Sequence, residues 1–146
     1  MKKYFLTIIM AGFSLSLLAQ EYKVITIVES IVPLGIGRSR MIDPQQTAHY
    51  KDLTTERTDG KKSEMSDVKR DDIRIDNFEE TKLLNFYSAA GINFQNIASN
   101  DAVVSSKLTE MAKEGWTLAF VTSGVESDAG KSDGNGIYIT RYVFKK

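Results

Sequence analysis

The stretch SNDAVVSSKLTEMAKEGWTLAFVTS, residues 99–123, decides the fold. Ser99, Asn100 and Asp101 carry side chains that accept from the free amides of a first helical turn. Asp101 also places negative charge where the helix dipole favours it. From Ala102 to Glu114 there is neither Gly nor Pro, and Val104, Leu108, Met111 and Ala112 recur at helical spacing as one apolar stripe. Gly115 then stops the helix, because glycine takes the left-handed conformation without steric cost. With Gly115 at C′, Met111 is C3 and Trp116 is C″, the pair that touches in a Schellman cap. After Trp116 the period becomes two. Trp116, Leu118, Phe120 and Thr122 share one face, which is expected to lie on the helix stripe. Gly115, Trp116 and Met111 are therefore read as structural residues.

The flanking strands follow from this core. Residues 137–144 alternate Ile137, Ile139, Arg141 and Val143 with Tyr138, Thr140, Tyr142 and Phe144, so they predict a strand antiparallel to 116–123. Residues 21–33 predict the first strand, ended by Pro33 and Gly35. Ile25, Ile27 and Ile31 make its second face apolar as well, which argues for a central position. The helix makes the first strand and the central strand, 116–123, parallel if they share a sheet, and the last strand, antiparallel to both, can lie between them. The expectation is an α+β domain: a small three- to four-stranded mixed or antiparallel sheet with one main helix packed on one face. One or two short extended segments are expected between Ile73 and Ile97.

Residues 1–19 read as a secretion signal peptide. Lys2 and Lys3 open it, and the apolar run Phe5–Leu18 is shorter than the roughly 20 residues of a membrane span. Cleavage is expected after Ala19 or Gln20, leaving one domain over 20–146 and no stable membrane span, in the periplasm or secreted fraction. With no cysteine there is no disulfide framework, no thiol nucleophile and no thiolate metal site. Without Lys2 and Lys3 the remainder carries 17 basic against 19 acidic groups, a net charge of −2, which gives no support to nucleic-acid binding.

Gly35, Gly37, Arg38, Ser39 and Arg40 form the most suggestive short motif. Two glycines free the backbone, while two arginines and a hydroxyl can grip a small anionic ligand. The competing reading is a turn with solvated arginines, and no nucleotide-binding pattern surrounds it. Residues from about 43 to 72 are charged and poor in aliphatics, so they predict a mobile polar insertion. His49, the one histidine, falls there and is read as solvated. Asp128, Asp133 and Asn135 do not match the calcium-loop spacing, so no metal or cofactor site is expected.

Three pieces together, Glu21-Tyr22-Lys23-Val24, Glu114-Gly115-Trp116-Thr117-Leu118 and Tyr142-Val143-Phe144-Lys145-Lys146, resemble a small bacterial family, domain of unknown function 4177. Its members read YKVV, a helix ending in EGWELV, and a closing YxxKR strand. The export signal and the insertion between Gly35 and Ser99 depart from that pattern. The resemblance implies a compact α+β domain and carries no catalytic residue over. From the residues themselves, a non-catalytic module that binds an envelope protein or small ligand is favoured. The alternative is a small exported hydrolase using Asp71 and Asp72, or Glu79 and Glu80, with Arg38 and Arg40 as an anion-holding pair. Adjacent carboxylates in a strand point to opposite faces, which argues against it.

Overall fold

The computed structural model describes residues 20–32, 39–88, 90–126 and 136–146. The first strand, β1, spans Tyr22–Ser30; β2 spans Arg40–Pro44 and β3 spans Phe78–Lys82. A two-residue hairpin comes next, β4 at Tyr87–Ser88 and β5 at Gly91–Ile92. The main helix, α1, spans Phe94–Lys113, and β6 (Thr117–Glu126) and β7 (Ile137–Lys145) close the chain. Strands β3-β2-β1-β7-β6 form one five-stranded sheet in that order, with every neighbouring pair antiparallel. The fold is α+β, with β7 between β1 and β6 and with more strands than the sequence suggested. The added pair, β2 and β3, lies in short segments whose charged residues hide the alternation.

The core sits between α1 and one face of the sheet. Ile25 and Ile27 of β1, Met41 of β2, Phe144 of β7, Met111 of α1 and Leu83 are buried together. Val104, Leu108, Trp116 and Tyr142 pack around them. Burying each large apolar side chain is worth about 1.5–3 kcal/mol. The helix ends as its glycine dictates. Gly115 has φ +87°, its N–H donates to Ala112 O at 3.0 Å, and the Trp116 N–H donates to Met111 O at 2.9 Å. Lys146 Nζ then donates to Glu114 O at 2.9 Å and stands 5.7 Å from the Trp116 ring centre.

Four expectations need correction. The helix begins at Phe94, capped by Asn93 Oδ1 accepting from the Asn96 N–H at 3.1 Å, so Ser99, Asn100 and Asp101 lie inside it. The strand after Trp116 is an edge, because β7 takes the place beside β1 and pushes β6 outward. A bulge between Leu118 and Phe120 also changes the face on which the later residues of β6 lie. Leu118 pairs with Phe144, whereas Phe120 pairs with Val143, so Phe120 turns to the face away from the helix. Asp43 belongs to β2 and is buried, so the polar insertion starts after Pro44. Between Gln45 and Asn77 no residue is buried, and only single helical turns form, at 50–53, 65–67 and 70–73. The insertion is closed at its base by the Gln45 N–H donating to Asn77 O at 3.0 Å.

Candidate interaction surface

Strand register places an apolar row across the face of the sheet that α1 leaves open. Phe120 pairs with Val143, and Val143 pairs with Val24. The β1–β2 register, Thr26 with Ile42, extended by two residues sets Val24 across from Pro44, and Pro44 pairs with Phe78. The row Phe78–Pro44–Val24–Val143–Phe120 therefore touches all five strands. Phe78 is 43% exposed, Val24 39% and Phe120 57%. Tyr22, at the end of β1 on the same face, is 60% exposed. An exposed valine in the middle strand shows that, among the described residues, no element is packed over this face. Contiguous apolar surface of this kind marks contact sites more often than single exposed side chains do.

The second feature is the β6 edge. All ten residues of β6 are exposed. Leu118, Val121 and Val125 point to the helix side yet remain exposed, because α1 packs over β1, β2 and β7 instead. The opposite edge, β3, exposes five residues of which Glu79, Glu80 and Lys82 are charged.

Two polar clusters hold the frame. Asp43, with its side chain 4% exposed, meets Lys23 Nζ at 2.8 Å and Lys107 Nζ at 3.1 Å. Each ammonium rotates freely and at these distances donates to one carboxylate oxygen, Lys23 to Oδ1 and Lys107 to Oδ2. Burial pushes the Lys107 ammonium down, and Asp43, Glu110 and Glu79 outweigh this and raise it above the usual lysine value. This triad ties α1 to β1 and β2 around one buried carboxylate, so it serves packing. The other cluster is a row of asparagines, Asn93, Asn96 and Asn100, that clamps the irregular segment 84–86. Asn100 Oδ1 accepts from the Leu84 N–H at 2.8 Å. Its Nδ2 donates to Leu84 O at 2.8 Å and to Glu29 Oε1 at 2.9 Å. Asn96 Nδ2 donates to Asn85 O at 2.8 Å, and the Asn93 N–H donates to Phe86 O at 2.8 Å. Burial raises the Glu29 carboxyl above the usual range; the Asn100 bond lowers it, and Asp101 raises it further. The Tyr142 hydroxyl is raised by burial and by the charges of Glu29 and Asp101.

Of the anion-loop residues, Gly35, Gly37 and Arg38 lie outside the described residues. Ser39 is buried; its hydroxyl accepts from the Ser30 N–H at 2.9 Å and donates to Asn85 Oδ1 at 2.9 Å. Arg40 is in β2, with its Nη1 2.7 Å from Glu80 Oε1. Ser39 and Arg40 are thus directed to different structures and do not converge. Glu79 and Glu80 occupy successive positions of β3, and Asp72 Oδ2 accepts from the Lys69 N–H at 2.9 Å. His49 is exposed. Asp128, Asp133 and Asn135, and the signal residues 1–19, lie outside the described residues. Among the described residues no three His, Asp or Glu side chains gather as a metal site, and no helix is long and apolar enough to cross a membrane. No family model, no curated protein and no solved structure matches this chain.

Proposed function

We propose that this chain is an exported, non-catalytic interaction module of the cell envelope or secreted fraction, related to the domain of unknown function 4177. The observation that supports it is the apolar row Phe78–Pro44–Val24–Val143–Phe120 on the uncovered face of the sheet. A row of this kind offers flat apolar contact with Arg141 and the Arg40–Glu80 pair beside it. That mixture, an apolar centre with a polar rim, is the composition of protein–protein contact surfaces. The partner under this reading is an envelope protein.

The test is capture from the protein's own cell envelope by mild crosslinking, with the tagged mature chain and its Val24→Lys variant as baits. Val24 is exposed, so the variant is expected to keep its circular dichroism and unfolding midpoint. A stoichiometric protein held by the natural chain and lost from Val24→Lys supports the reading. No captured protein, or equal capture by a folded Val24→Lys, refutes it.

A further inference from the structure

We propose that two copies of this chain pair through β6, antiparallel about a twofold axis at Thr122, to make one continuous ten-stranded sheet. This deepens the interaction reading by naming a self-contact, and it uses the sheet edge, sharing only Phe120 with the open-face row.

The two edges of the sheet are treated in opposite ways. An unpaired strand edge is a template for another chain, and proteins blunt it with short length, charge or proline. The β3 edge follows that rule, with five residues and Glu79, Glu80 and Lys82. The β6 edge does not. It is ten residues long, has no proline, and carries no charge from Thr117 to Val125. Its one irregularity, the bulge between Leu118 and Phe120, leaves Phe120–Glu126 in unbroken register.

The strand is also self-complementary. A twofold pairing repeats every charge across the axis, so an uncharged strand accepts its own copy and a charged one repels it. About Thr122, Thr122 faces its own counterpart and Val121 faces Ser123 of the other copy. Phe120 then faces Gly124, where a Cβ would meet nothing within 4 Å. That open space receives the Phe120 ring, an aromatic over an edge glycine. The same pairing brings the Glu126 end of one β6 beside the Thr117 end of the other, where Thr117 is paired with Lys145. The single charge of the strand thus lies at the end where Lys145 stands, away from its own copy. On the helix side, Leu118, Val121 and Val125, exposed in one chain, lie beside the same residues of the second.

The chain has no cysteine, so one introduced thiol reports on one place. Sedimentation equilibrium of the mature protein from about 1 to 500 µM is expected to show a monomer–dimer equilibrium, as befits an interface of one strand pair. Thr122→Cys is expected to form a disulfide-linked dimer under mild oxidation, and Thr81→Cys on the β3 edge is expected to stay monomeric. Val121→Lys, and separately Val125→Lys, is expected to give the single-chain mass with an unchanged unfolding midpoint in dilute solution. The proposal is overturned by a single-chain mass over the whole range, or by a dimer that Thr122→Cys fails to crosslink. A monomeric Val121→Lys that still captures the envelope protein separates this proposal from the interaction reading. Loss of capture by Val24→Lys with the dimer intact separates them in the other direction.

Discussion

Replacing Asn100 with alanine is expected to cost about 3–5 kcal/mol of stability. Asn100 is 2% exposed and makes three side-chain hydrogen bonds. Alanine deletes all of them and leaves the Leu84 N–H and C=O without their partner. Leu84 is 40% exposed, so each stranded backbone group costs about 1–2 kcal/mol, the lower part of the usual range, and the bond lost from Glu29 adds about 1 kcal/mol. At about 4 °C per kcal/mol for a domain of this size, the midpoint should fall by about 12–20 °C. Thermal and urea unfolding followed by circular dichroism read the loss, and amide exchange at Leu84 locates it. The structure ascribes the loss to a clamp on segment 84–86, so the Leu84 amide should lose protection in a variant that is still folded. A loss below about 1 kcal/mol with Leu84 protection unchanged would refute the reasoning.

Glu29→Gln keeps an oxygen for the Asn100 bond and removes the charge. The folded carboxyl is raised above its ordinary 4.5, so in the natural chain the unfolded state releases the proton first and stability falls as pH rises through the interval between the two values. Glu29→Gln should therefore be the more stable protein above that interval, with the gap closing below it; unfolding midpoints against pH check this, and a constant gap rejects it. Gly115→Ala should cost about 1–2 kcal/mol, since φ +87° is a conformation that a Cβ resists, although the nearest atom to that Cβ is a flexible Lys146 carbon 3.6 Å away. Urea unfolding measures it. Replacing 46–76 by Asn-Gly between Gln45 and Asn77 should leave the sheet folded and change stability by no more than about 2 kcal/mol, since the shorter loop is cheaper to close and no buried residue is removed. An unfolded product would show that the insertion carries part of the core.

The legible parts of the fold were those governed by local chemistry. Gly115 stops α1 through its own backbone freedom, and Trp116 follows from the cap geometry. That β7 can stand between β1 and β6 follows from chain direction once a helix joins the other two. The start of α1 was not legible, because an asparagine side chain caps a helix and clamps a distant backbone with the same groups. Asn93 does the first, while Asn100 does the second; only the neighbour at Leu84 tells them apart. The bulge in β6 likewise has no signature in Leu118-Ala119-Phe120, yet it sends Phe120 to the other face. The apolar row was not legible for a related reason. Its members come from five strands and meet only through register, so no motif in the sequence joins them.

The width of the sheet gives the exposure of β6 a physical cause. Five strands at about 4.8 Å spacing put the outer two about 19 Å apart, whereas one helix is about 10–12 Å across. A single helix therefore covers the middle of such a sheet and leaves both edges. The buried sheet residues agree, since Ile25, Ile27, Met41 and Phe144 belong to β1, β2 and β7, the three inner strands. Any sequence on this frame must do something with two uncovered edge strands. On β3 the answer is charge, which holds water and turns away other strands. On β6 the answer is Leu118, Phe120, Val121 and Val125, which gain nothing from water. The frame explains why β6 is uncovered but not why it is apolar. That choice is costly for solubility in an isolated chain and becomes favourable once a surface lies against it.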